Sequence, residues 1–157
     1  MTKRLIGISL WAIAGLIGQD HSHQGVNERG DHVMGFSHEK TTHHFRLYAD
    51  GGAIEVTANS AEDHESRDQI RMHLTHLPGM FAAGNFKAPI LIHDQVPPGV
   101  PVLERLKAEV RYRYEEIDKG ARVRITTSNA EALAAVHEFL RFQIKDHATG
   151  DTVELSK

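Results

Sequence analysis

The chain contains no cysteine among its 157 residues. That excludes disulfides, thiolate metal ligands, a lipidated cysteine anchor and the C-x-x-C-H attachment of c-type haem; non-covalent haem held by His or Met stays open. No apolar run reaches the roughly 20 residues that a membrane-spanning helix needs. Positive charge is in deficit: 18 Lys and Arg face 21 Asp and Glu, a formal net charge of −3. That balance lacks the basic footprint of a nucleic-acid binder. There is no G-x-S-x-G, H-E-x-x-H, Walker or Rossmann pattern. "HEKTTHH", His38 to His44, has the wrong spacing and no helical context for a zincin, and "GDHVMGF" is not a phosphate loop.

What the chain has is histidine. Its twelve imidazoles are roughly three times the number that ordinary composition would supply. Without cysteine, any bound metal must be held by His, Met, Asp or Glu. The length fits one domain with a real core.

Lys3 and Arg4 precede "LIGISLWAIAGLIG", Leu5 to Gly18, and a polar segment follows. A basic pair and a short apolar run predict a signal peptide over residues 1–18. Its removal would leave 16 basic and 21 acidic residues, a charge of −5. The product would be periplasmic or secreted, with no stable membrane span. Residues 19–42 read as a polar, His-rich N-terminal arm, and 43–157 as a single α+β domain.

Two hairpins are legible in that domain. "HHFRLYA", "DGG" and "AIEVTA" give strand, turn and strand; so do "AEVRYRYEEI", "DKG" and "ARVRITT". Each precedes a helix. The first is expected to open at Ser60 and present Ile70, Leu74, Leu77 and Phe81, with Pro78 kinking or ending it. The second is capped by Ser128 or Asn129 and presents Leu133, His137, Leu140 and Ile144. The pattern predicts two pseudo-repeated ββα units forming a four-stranded antiparallel sheet with two helices on one face. Between the units, Pro89 to His93 reads as a short buried strand.

The histidines fall at suggestive places. Alternation sends His43 inward with Phe45 and His44 outward. His73 and His76 are spaced i, i+3 on the first helix, with Met72 beside them. His93 ends an apolar run and precedes Asp94. His137 lies on the core stripe, where an imidazole is commonly satisfied by a carbonyl. His64 and His147 read as surface residues. A shared metal site is therefore expected from His43, His73, His76 or Met72, and His93, with His44 a weaker candidate. If cleavage follows Gly18, the new terminus Gln19-Asp20-His21 could hold Cu(II) or Ni(II) in a square plane through His21.

The segments "DHVMGFSHEKTTHHF", "QIRMHL", "PGVPVLERLK", "VRITT" and "HEFLRFQIKDHATGD" resemble those of a family of small secreted, histidine-rich bacterial proteins. Some members carry an aspartate carbamoyltransferase label. This chain lacks that enzyme's Ser-x-Arg-Thr signature and is far too short for its two domains. The resemblance, over roughly Asp31 to Asp151, implies export and one compact domain, and supplies no site residues.

The sequence thus predicts an exported transition-metal-binding protein, copper first and zinc second. His and Met without Cys suit copper in an oxidising compartment. The alternatives are a small metal-dependent hydrolase or lyase using the same imidazoles, and a metal-free domain that forms a homodimer.

Overall fold

The structure is a computed structural model describing residues 20–156. The expected signal peptide lies outside the described residues. The described residues form an α+β fold: five α-helices and a four-stranded antiparallel sheet in the order β1-β2-β4-β3. The strands are β1 (Thr41–Tyr48), β2 (Gly51–Ala58), β3 (Val110–Ile117) and β4 (Gly120–Thr127). Two-residue turns join β1 to β2 and β3 to β4, while β2 pairs with β4 at the centre, Ile54 opposite Val123. Both hairpins carry glycine where backbones crowd. A Cβ on Gly120 would lie 2.0 Å from the Val56 carbonyl oxygen; one on Gly52 would lie 2.5 Å from that of Arg46 and 2.2 Å from Leu140 Cδ1.

Alternation divides the strand side chains. Phe45, Leu47, Ile54, Val56, Val123 and Ile125 enter the core. Out-of-phase positions carry Arg46, Glu55, Arg122 and Glu115, with Glu55 paired to both Arg46 and Arg122.

Helix α2 (His64–Ala82) contributes Ile70, Leu74, Leu77 and Phe81 to the core, as its spacing predicts. It starts later than expected. Asp63 is the cap, accepting from the Ser66 amide at 3.0 Å, while the Ser60 hydroxyl turns to Glu62. Pro78 does not end the helix. Its missing N–H forfeits one backbone bond, but buried Leu77 and Phe81 lie on either side of it and the helix runs to Ala82. Helix α5 (Ala130–Asp146) is capped by Asn129, whose Oδ1 accepts from two backbone amides at 3.0 Å. Phe81, Phe86 and Phe139 pack together in the core, with Phe81 stacked on Phe86 at 4.6 Å. Burial of each such ring stabilises the fold by about 1.5–3 kcal/mol.

Two expectations fail. Residues 20–34, read as part of an arm, form helix α1 (Asp20–Met34). Gly25 and Gly30 each lower helix propensity by about 1 kcal/mol, yet Val26 is buried and Arg29 Nε donates to the Ile92 carbonyl at 2.7 Å. Docking overrides propensity. Pro89 to His93 is not a strand; it lies in helix α3 (Lys87–His93), which buries Ala88, Pro89, Ile92 and His93. A four- or five-residue apolar run does not distinguish the two by period. Helix α4 (Val100–Arg105) and a 3₁₀ turn lead into β3.

Beyond α5 the chain folds back along β1. Asp151 accepts from the Phe45 amide at 3.0 Å, His44 Nδ1 at 2.9 Å, Arg46 Nη1 at 3.1 Å and the Thr149 hydroxyl at 2.8 Å. The Ser156 amide donates to the Leu47 carbonyl at 2.7 Å. Asp151 thus anchors the chain four residues after His147 and brings that imidazole onto the mouth of the core.

Candidate functional site

Strand β1 points His43 inward with Phe45, and the imidazole lies under three further rings. Phe36 is 5.8 Å away at 27°, Phe45 6.3 Å at 23°, and His147 5.5 Å at 10°. His43 Nε2 is buried and has no hydrogen-bond partner. A buried polar nitrogen without a partner is costly, so it marks a place where something else belongs. Burial, then the neighbouring His73 and His44, push the His43 pKa down to about 4, against a smaller opposing pull from Asp31. Burial and His76 also lower that of His73. Both rings are therefore neutral at pH 7, the state in which imidazole donates a lone pair to a metal.

Two voids meet at this ring. An inner apolar chamber of about 50 Å³ is bounded by Phe45, Leu74, Leu77, Phe81, Ile92 and Phe139, with His73, His93 and Gln143 also on its wall. An outer polar vestibule of about 230 Å³ is bounded by Asn27, His38, Thr41, Thr42 and Thr149 among others. Three residues line both voids: Met34, His43 and His147. The partition between vestibule and chamber is thus two imidazoles and a thioether, drawn from the end of α1, from β1 and from the residue after α5.

His93 stands behind this partition, perpendicular to His147 with ring centres 5.0 Å apart. Its Nδ1 is 2.5 Å from Asp146 Oδ2 and its Nε2 is 2.8 Å from Gln143 Oε1. Both ring nitrogens are engaged, which makes His93 a support for the chamber wall rather than a lone-pair donor. At the vestibule, His38 is held by Asp31, which meets its Nδ1 at 2.9 Å and its backbone amide at 2.7 Å.

The sequence candidates therefore divide. His43, His73 and His93 line one chamber. His44 does not join them, because alternation carries it to the other face of β1, where Asp151 binds it. Met72 is 65% exposed and His76 is also exposed, so the helical pair His73/His76 turns only one ring toward the chamber. The side chain of His21 lies outside the described residues. His137 is satisfied, Nε2 lying 2.9 Å from the Tyr48 carbonyl oxygen and 3.0 Å from that of Gly51.

Two residues of the partition were not expected. His147 reads as surface in a polar setting, yet it continues the stripe Val136, Leu140, Gln143 by one more four-residue step. Met34 lies in the segment that composition assigns to a polar arm, and it reaches the chamber because that segment forms α1. Among the described residues, no group of three or more His, Asp or Glu side chains is arranged to hold a metal ion. Also among them, no helix is long and apolar enough to cross a membrane. No family model matches the chain, and no curated protein or solved structure is significantly similar to it.

Proposed function

We propose that the chain is an exported copper-binding protein that holds Cu(I) at the partition formed by Met34, His43 and His147. The observation that carries this reading is the identity of the three residues common to both voids. Thioether sulfur favours Cu(I), and neutral imidazole is a good second donor. His43 Nε2 supplies a buried nitrogen with no protein partner. The stacked His43 and His147 rings must turn relative to one another to share an ion, and the flexible Met34 side chain adapts to the result. Zinc ranks second: it takes three or four His, Cys, Asp or Glu ligands, and no such group is arranged for it among the described residues.

The layout supports a duplicated origin. We read β1-β2-α2 and β3-β4-α5 as pseudo-repeats with both helices on one face of the sheet. Gly51 and Gly120 occupy matching hairpin positions, each opening its second strand opposite the last residue of the first, and Asp63 and Asn129 matching caps.

The test is an anaerobic titration of untagged protein with Cu(I) against a chromophoric competitor. A single Cu(I) per chain is expected, with loss of that binding in a folded His43→Ala variant. Equal copper content in the variant and the wild type removes the proposal. Mass spectrometry of secreted material, showing loss of the first 14 to 18 residues, tests export.

A further inference from the structure

The sheet has two edge strands, β1 and β3, and they are treated differently. The chain's own C-terminal segment borders β1, where the Ser156 amide donates to the Leu47 carbonyl and Asp151 accepts from the Phe45 amide. Strand β3 has no such cover.

The ladder shows which groups of β3 are free. The Ala58 amide donates to the Lys119 carbonyl at 2.9 Å, and the Thr127 amide to the Asp50 carbonyl at 3.0 Å. Odd-numbered residues of β4 therefore turn their backbone groups to β2, and even-numbered ones turn theirs to β3. The register sets those even residues opposite Arg111, Arg113, Glu115 and Ile117. The N–H and C=O groups of Tyr112, Tyr114 and Glu116 thus point out of the sheet. None of them has a hydrogen-bond partner among the described residues.

Natural sheets blunt such an edge with proline, lysine, a bulge or a very short strand. Strand β3 has none of these. It is eight residues long, pairs with β4 without a break, and reads VRYRYEEI. Its charge is divided along its length: arginine in the first half, glutamate in the second. A strand of that pattern is complementary to an antiparallel copy of itself. Arg113 and Glu115 share the sheet face turned away from the core, and they form an ion pair within the strand. The Arg113 side chain is nonetheless 75% exposed.

We infer that the β3 edge is the docking surface for a second copy of this chain, the two strands pairing antiparallel about a two-fold axis at Tyr114. The axis stands perpendicular to the sheet, so the two four-stranded sheets become one and the helices of both copies stay on the same side. Tyr112 then exchanges backbone bonds with the partner's Glu116, and Tyr114 with its own equivalent. Arg113 stands opposite the partner's Glu115, twice by symmetry, in the close pairs where side chains meet. Moving the axis to Arg113 would set that arginine against its own equivalent, which disfavours the neighbouring register. No metal enters the inference, so it stands or falls apart from the copper reading.

The experiment is sedimentation equilibrium of the metal-free full chain over about 1–500 µM, the range suited to a small interface. The wild type should pass from monomer to dimer, and its Tyr114 amide should exchange more slowly at the high end. Tyr114→Pro removes one outward N–H and no ladder bond, so it should fold and stay monomeric. Arg113→Glu sets like charges opposite each other at two places and should weaken association about tenfold or more. Glu115→Arg should do the same. An equimolar mixture of these two variants should associate, because each supplies the charge the other lacks. If Tyr114→Pro fails to fold, Arg113→Glu decides, since its exposed side chain takes no part in the core. A monomer throughout overturns the proposal and leaves the edge to a strand from another protein. A dimer that neither Tyr114→Pro nor Arg113→Glu weakens overturns it as well. A mixture that associates no better than its components overturns the register.

Discussion

The rings of His43 and His147 lie 5.5 Å apart and only 10° from parallel, although one opens a strand near the start of the domain and the other follows its last helix. A neutral His43 ring packs against its neighbours at little cost; a buried imidazolium there would not. Burial and the surrounding histidines hold the His43 pKa at about 4, well below the 6.5 of the unfolded chain.

A pH dependence follows with a definite sign. Between pH 6.5 and 4 the unfolded chain binds a proton at His43 that the folded chain does not, so stability falls as pH falls through that window. It is fully present above the unfolded pKa. The shift corresponds to about 3 kcal/mol or slightly more. Chemical denaturation at a series of pH values should show this slope in the wild type and a flatter one in His43→Leu. Equal slopes would show that His43 is readily protonated in the fold.

Asp151 provides a second test. Burial works to raise its pKa, but bonds from Thr149, the Phe45 amide and His44 hold it below the usual carboxylate value. Its contribution is therefore present above about pH 4 and lost as pH falls through the lower folded value. Asp151→Ala leaves the Phe45 amide without its partner and should cost about 1–3 kcal/mol. It should also loosen residues 147–156, read as faster amide exchange there. Unchanged exchange in that segment would refute the anchoring role.

Gly52→Ala should be among the most damaging single-methyl additions. The Leu140 side chain can yield, but the Arg46 carbonyl at 2.5 Å is backbone within the β1–β2 ladder. A cost of more than about 3 kcal/mol is expected, with little rescue by Leu140→Ala. Thermal melts of the two single variants and the double variant measure both.

Met34 and Met72 separate a site methionine from a surface one. Met34→Leu preserves shape, so folding should change by less than about 1.5 kcal/mol. Loss of the thioether should weaken Cu(I) binding about tenfold or more, the equivalent of at least 1.4 kcal/mol. Met72→Leu and His76→Ala should leave it unchanged. Competition titrations that rank Met72→Leu with Met34→Leu would move the site to the outer face of α2.

The sheet was legible because alternation and turn glycines are local signals. "HHFRLYADGGAIEVTA" contains its own register, and the inward direction of His43 follows from Phe45 two residues on. The helix stripe of Ile70, Leu74, Leu77 and Phe81 was legible for the same reason. The partition was only partly so. His43 could be nominated, but Met34 and His147 reach it through docking of α1 and the fold-back at Asp151, both long-range events. His93 could be placed at the end of an apolar run, yet its partners Asp146 and Gln143 are some fifty positions away. No local pattern encodes that pairing.

The partition also ties the two extremities of the described fold together. Met34 closes the first helix and His147 follows the last, with His43 between them in the chain. Neither half of the polypeptide carries all three residues, and the unfolded chain does not bring them together. On the proposed reading, copper held there is acquired only after the domain has closed. The ion would then act as a clasp: a protease that trims either extremity would release the metal before it breaks the sheet.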